Sequence, residues 1–220
     1  MTNKWGIIVI DVQGDFTKWK RGSLSVPGSD EGYVKSVEIA TRRLKELGVP
    51  IFGTQDWHTP DHVSFATSHR GKIPFETITI DGETQVLWPP HCIQGTENAR
   101  VLIDNNLFLA VVKSTQNSDV ESYSFFQDRK GIKTEMDAIL RINGVENVIV
   151  YGIATEYCVR ATSLDLIAAN YKTTVIESLC RGVSSDVAAA ALDEMKNKGV
   201  RVITTPEEII EEIRRENTCK

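Results

Sequence analysis

Cys158 lies in the stretch Val148–Arg160, VIVYGIATEYCVR, where an apolar run ends at Gly152 and a helical pattern begins after Thr155. That order reads as strand, tight turn and helix start, with a thiol in the first helical turn. Unpaired backbone N–H groups and the positive end of the helix dipole face such a position. They favour thiolate, the nucleophilic form of cysteine, and they can hold an oxyanion. A nucleophilic thiol needs a group that takes its proton and later supplies one to the leaving group. Asp11 is suited to both tasks. A buried ammonium at Lys113 would stabilise their negative charge. Taken singly, each residue has a plainer explanation: a small buried cysteine, an aspartate capping a loop, a solvated lysine.

A second set has the composition of a metal cage. Asp56-Trp57-His58 sets a carboxylate and an imidazole two residues apart in extended chain, so both can point to one side. His91, in WPPHC, arrives from the far end of a long loop. One carboxylate and two imidazoles form a ligand set for Zn, Fe or Mn that leaves positions open for water or substrate. His62 is a further ligand or a hydrogen bonder behind the ligands. His69 reads as a turn cap. Trp57 and Trp88 flank these residues, with core packing as the alternative. Phe16 and Tyr123 read as core packing or as walls of a pocket for a flat ring. Cys92, Cys180 and Cys219 show no base or turn context and are given no chemistry.

The elements that must position these residues follow from periodicity. Trp5–Ile10 is a continuous apolar run, suited to a strand covered on both faces. Tyr33–Leu47 carries apolar residues at helical spacing and stops at Gly48 and Pro50. Strands are then expected at Ile51–Gln55, Leu107–Val112, Val148–Tyr151, Thr173–Ile176 and Val200–Ile203. Helices are expected at Glu135–Ile142, at about Glu156 to Ala169, from an Asp186 cap through Lys198, and from Pro206 onward. The segment from about 57 to 98 lacks clear periodicity and holds all four histidines. A loop that long in a compact domain is usually functional, and its aromatic residues argue against disorder.

The alternation β-α-β, without a composition break, predicts one α/β domain over 1–220. Its core is a doubly wound, six-stranded parallel sheet with helices on both faces. Asp11, Asp56, Lys113 and the Gly152–Cys158 turn all stand at carboxyl ends of predicted strands. Open α/β sheets bind ligands at that edge, near the switch in strand order. The four features are therefore expected to converge on one crevice.

Composition narrows the function classes. The chain has 220 residues, 25% charged and 41% apolar, with net charge -5 and no basic block. That balance argues against nucleic acid and anionic membrane as partners. The four cysteines are widely spaced with no CxxC pair, which predicts a reducing, cytoplasmic setting. The first apolar run is too short for a signal peptide, and no stretch has the apolar length of a membrane span.

Together the stretches IIVIDVQGDF, TQDWHTPDHVSF, LWPPHCIQGT, VVKST and GIATEYCVRATSLDL resemble the nicotinamidases of the isochorismatase-like cysteine hydrolase superfamily. The DWH…H…WPPHC block carries the resemblance to nicotinamidases, whereas the GIATEYCV turn is shared across the superfamily. The resemblance implies the isochorismatase-like hydrolase fold. It implies Cys158 as nucleophile, Asp11 as general acid/base and Lys113 as the third catalytic member. It implies an oxyanion hole from the N–H groups of Ala154 and Cys158, and a cis Ile153–Ala154 peptide. Asp56, His58 and His91 would bind one divalent metal, zinc first and Fe or Mn as alternatives, which holds the pyridine nitrogen directly or through water. Phe16, Trp88 and Tyr123 match ring-contacting positions. The implied substrate is nicotinamide, and relatives often self-associate as homo-oligomers.

Two departures bear on the pocket rim. Ser114 follows Lys113 where many relatives have Gly, and the insert from Ala66 to Leu87 is long compared with the smallest members. Alternatives to the implied deamidation are a related amidase acting on another small amide and a metal-water hydrolase using Asp56, His58 and His91. A non-catalytic binding protein with the same pocket is a third.

Overall fold

Five helices and eight strands follow one another in the computed structural model, which describes residues 4–218. The strands are β1 (Trp5–Ile10), β2 (Ile51–Asp56), β3 (Thr77–Ile80), β4 (Glu83–Val86), β5 (Ala110–Ser114), β6 (Asn147–Gly152), β7 (Lys172–Ile176) and β8 (Arg201–Ile203). The helices are α1 (Glu31–Glu46), α2 (Met136–Ile142), α3 (Arg160–Ala168), α4 (Ser185–Asn197) and α5 (Pro206–Thr218). Six strands form one parallel sheet in the order β5-β2-β1-β6-β7-β8.

The two central strands, β1 and β6, are buried almost throughout. Their unbroken β-branched and apolar runs fit strands covered from both sides. α1 packs with α5, and α3 packs with α4. Right-handed crossovers place these two pairs on opposite faces. On α1 the Asp30 carboxylate accepts the Tyr33 N–H at 2.9 Å, which caps the helix. Val34, Val37 and Leu44 form its buried stripe. The strongly charged α5 buries only Ile209, Ile210 and Ile213, one side of the helix.

Several expected boundaries move. Leu107 lies in a 3-10 turn, Asn105–Leu107, so the edge strand starts at Ala110 and includes Lys113 and Ser114. α4 begins at Ser185, after Ser184 rather than an Asp186 cap. The long 57–98 segment contains an antiparallel hairpin, β3–β4, around Asp81-Gly82. Both turn residues have positive φ, +51° and +83°, as a tight two-residue hairpin requires. The alternation in TITIDGETQV carries that signal. Cys219 lies outside the described residues. Among the described residues, no helix is long and apolar enough to cross a membrane.

Candidate active site

The chain leaves β1 towards β2 and β5, then returns to β6 and continues to β7 and β8. The switch in direction therefore falls between β1 and β6, where ligands bind in open α/β sheets. Ile10 pairs with Gly152 at the carboxyl ends of these strands. Asp11 follows at once, with φ +44°. Beyond Gly152, the Ile153 N–H donates to Ile10 O at 3.0 Å, and the Ile153–Ala154 peptide is cis. The next turn, Thr155–Val159, is a π-helix that runs into α3. Such turns inside helices are frequent at functional sites. Ala154 O accepts from the N–H groups of Tyr157 and Val159 and passes over that of Cys158.

Cys158 is buried at this turn and lines a cavity. Asp11 is wholly buried beside it. Its Oδ1 accepts from Thr54 Oγ1 at 2.7 Å, and its backbone N–H donates to the same hydroxyl at 3.0 Å. Oδ2 has no hydrogen-bond partner, and the Cys158 side chain lies close enough to act on the carboxyl. Burial, and then the Asp56 charge, push the Asp11 carboxyl well above the usual carboxylate range. Burial, and then the Asp11 and Asp56 charges, push the Cys158 thiol well above its ordinary value. This shift runs against the thiolate that the turn alone favours. Burial of the sulfur leads, and the carboxylates at the ends of β1 and β2 add to it. The pair retains a proton, and Asp11 is the group positioned to receive it.

The second set converges on the same cavity. Asp56 ends β2, and its Oδ2 lies 3.4 Å from His58 Nδ1 and 3.4 Å from His91 Nε2. All three side chains are buried, and their ligand atoms lie within 4.8 Å of one another. His58 has no hydrogen-bond partner at either ring nitrogen. One His58 nitrogen, His91 Nε2 and the shared Asp56 oxygen make a donor set suited to a divalent metal. Burial disfavours the Asp56 carboxylate, but the facing imidazoles and the Thr115 hydroxyl hold its pKa down to about 2. His91 is oriented by its Nδ1 contact with Pro89 O at 2.8 Å. His62 is occupied elsewhere: Nδ1 meets Ser64 Oγ at 2.8 Å and Nε2 meets Val120 O at 3.2 Å. It stands behind His58 with ring centroids 4.4 Å apart. His69 Nε2 meets Val63 O at 2.7 Å within the loop.

Lys113 departs from the expected cluster. It sits on the edge strand β5 and pairs with Gln55. Its ammonium lies 3.9 Å from the centroid of the Trp57 ring, over the face, and it lines a separate surface groove. Among the described residues, no hydrogen bond or ion pair joins it to Asp11 or Cys158.

Phe16, Trp88 and Tyr123 all line the cavity. Trp88 Nε1 donates to the Tyr123 hydroxyl at 3.2 Å, which fixes both rings. Tyr157 completes this wall, edge-on to Trp88 at 5.1 Å. Sequence reasoning gave no role to Tyr157 or to Glu121, a buried wall residue. It also passed over two anchors in the IIVIDVQGDF stretch. Gln13 accepts the Asp56 N–H at 2.9 Å and donates to Asp56 O at 2.8 Å. Asp15 Oδ2 accepts the Cys92 N–H at 2.7 Å, which ties the His91 segment to the loop after β1.

Comparison with known proteins adds three findings. The isochorismatase domain model matches residues 6–207. The nicotinamidase of Escherichia coli K12 is 36% identical over 206 residues, covering 90% of this chain and 93% of that protein. Two solved structures share the architecture. The yeast nicotinamidase bound to the inhibitor nicotinaldehyde aligns with a TM-score of 0.84 at 30% identity, over 91% of this chain and 100% of that one. The pyrazinamidase of Pyrococcus horikoshii in complex with zinc aligns with a TM-score of 0.77 at 32% identity, over 92% of this chain and 100% of that one.

Proposed function

The chain belongs to the isochorismatase family, and on that footing we propose that it hydrolyses nicotinamide to nicotinate and ammonia through a thioester on Cys158. One observation carries this reading. The thiol, the Asp56-His58-His91 donor set and the aromatic wall of Phe16, Trp88 and Tyr123 all face one cavity.

Asp11 takes the thiol proton as the sulfur attacks the carboxamide carbon. The carbonyl oxygen becomes an oxyanion, held by the N–H groups of Ala154 and Cys158. Asp11 then protonates the amide nitrogen, the C–N bond breaks, and ammonia leaves a thioester. Water attacks that thioester while Asp11 takes its proton. Collapse of the second tetrahedral species breaks the C–S bond, releases nicotinate and returns the proton to sulfur. The raised Asp11 pKa suits a group that alternates between base and acid near neutral pH.

Asp56, His58 and His91 would hold one divalent ion, which we assign as zinc. The assignment is supported by the nitrogen-rich donor set and by the zinc in the Pyrococcus relative. Bound there, the ion supplies a Lewis-acid anchor for the pyridine nitrogen. Phe16 and Trp88 flank the ring, and Tyr123 and Tyr157 close the wall behind it. The reducing setting expected from the sequence is supported by free, buried thiols at Cys92, Cys158 and Cys180, and we assign the protein to the cytoplasm.

The test is ammonia release by the purified full chain from nicotinamide, run beside a panel of other small amides. Nicotinamide should give the highest kcat/KM, and quenched turnover should give an acyl adduct on Cys158 by mass spectrometry. Turnover with no adduct, abolished by metal removal, would instead support attack by metal-bound water.

A further inference from the structure

Glu121 is a buried carboxylate that the reaction above does not use. It lies in the loop after β5 and is 4% exposed. Oε1 accepts the Ser122 N–H at 2.9 Å, and Oε2 accepts from Gln85 Nε2 on β4 at 3.4 Å. Among the described residues, the one basic side chain within 4.0 Å is His58, whose Nε2 lies 3.9 Å from Oε1. A carboxylate taken out of water to this depth is retained where a partner compensates its charge.

The His58 ring is caged on its sides by His62, Phe65 and His91, with ring centroids 4.4, 4.9 and 4.6 Å away. Its two nitrogens therefore face opposite ways. Nδ1 faces Asp56 at 3.4 Å, and Nε2 faces Glu121 at 3.9 Å. Neither nitrogen has a hydrogen-bond partner. His62 cannot serve Nε2, because both of its own nitrogens are engaged by Ser64 and Val120. A metal-ligating histidine commonly donates its outer N–H to a carboxylate, which fixes the ring and makes the ligating nitrogen more basic.

We propose that Glu121 is a positioning residue for the metal centre, accepting from His58 Nε2 so that Nδ1 is presented to the ion beside Asp56 and His91. The inference rests on the reading that these three residues hold a metal, and not on the identity of the amide. Gln85 and the Ser122 N–H hold the carboxylate in place, so the β3–β4 hairpin is tied to the centre through Glu121.

The test measures zinc affinity of the full chain by competition with a chromogenic chelator, in wild type, Glu121→Gln and Glu121→Asp. The Gln variant keeps the shape and should bind zinc about 10–100-fold more weakly, with Asp weaker than wild type because its carboxylate is withdrawn. Equal affinity in all three overturns the proposal. A second measurement needs no variant. In zinc-loaded wild type, 15N NMR of the histidine rings should show His58 metallated at Nδ1 and protonated at Nε2; the reverse assignment overturns it. Wild type that binds no zinc removes both this inference and the metal reading. Zinc binding without ammonia release from nicotinamide removes only the substrate assignment and leaves Glu121 in its role.

Discussion

The carbonyl oxygen of Ile10 occupies the place that a β-carbon on Gly152 would take, 1.9 Å away. Gly152 also has φ +139°, a conformation that residues with side chains rarely adopt. This approach brings the carboxyl ends of β1 and β6 together. Asp11 and the Cys158 turn leave from those ends, so their proximity is built into the two central strands.

Gly152→Ala should therefore damage both fold and site. The clash is with backbone, which cannot rotate away, so the loss is expected to exceed the roughly 1–3 kcal/mol usual for an overpacked core. Denaturant unfolding measures it. Protein that remains folded should also have lost turnover, because Asp11 and Cys158 are pushed apart.

Asp11→Asn keeps the size of the side chain and its contact with Thr54 but cannot exchange a proton. Turnover should fall about 10²–10⁴-fold, the range for removal of a general acid/base. Binding of nicotinamide, followed by calorimetry, should change little. A variant with near-normal kcat would remove Asp11 from the proton path.

The pH dependence follows from the directions of two shifts. The active pair holds one proton, with Asp11 ionised and Cys158 protonated before attack. Burial and Asp56 raise Asp11, so the acid limb of kcat/KM should fall at a pH above the ordinary carboxylate range. Burial and Asp11 raise Cys158, so the alkaline limb should fall above the ordinary thiol value. Both shifts move the window upward. A window between the ordinary carboxylate and thiol values, centred on the acid side of neutrality, would contradict the raised pair.

Metal removal separates anchoring from chemistry. In the proposed mechanism the nucleophile is sulfur and the oxyanion is held by backbone, so chelation should raise KM for nicotinamide far more than it lowers kcat. An amide lacking a ring nitrogen should be turned over poorly by both forms. Complete loss of kcat on chelation, restored by zinc, would shift the attack to metal-bound water.

Much of this site was legible in residue types because strand ends are fixed by short, continuous apolar runs. Asp11, Asp56 and Cys158 each follow such a run, and parallel βαβ connectivity leaves their side chains on one edge. His58 and His91 were legible as donors beside Asp56. Lys113 was expected just past a strand end and lies within β5, and its ammonium sits over the Trp57 ring, a contact no periodicity encodes. The sign of the Cys158 shift was hidden for a related reason, since the burial that leads it, and the Asp11 and Asp56 charges that add to it, come from the assembled sheet edge. Glu121 and Gln13 have no local pattern at all. Their meaning lies in partners that only the folded sheet brings near. The β3–β4 hairpin is different: its alternating Thr and Ile around Asp81-Gly82 was readable, and was masked by the irregular chain on either side.

Gln13 offers the sharpest test of how the β1 loop supports the metal cage. Its amide is fully buried and clamps the Asp56 peptide from both sides, at 2.9 Å to the N–H and 2.8 Å to the carbonyl. It also donates to Ala99 O, which keeps a second donor in Gln55 Nε2 at 2.7 Å. Gln13→Leu keeps the volume and leaves the two Asp56 peptide groups without this partner, at a cost of about 1–3 kcal/mol for each buried group left unsatisfied. Stability by denaturant unfolding should fall accordingly. If the clamp also sets where the Asp56 carboxylate points, zinc affinity of the folded variant must fall with it. A loss of stability with zinc affinity unchanged would mean that Gln13 holds the loop to the sheet and that Thr115 alone orients the carboxylate.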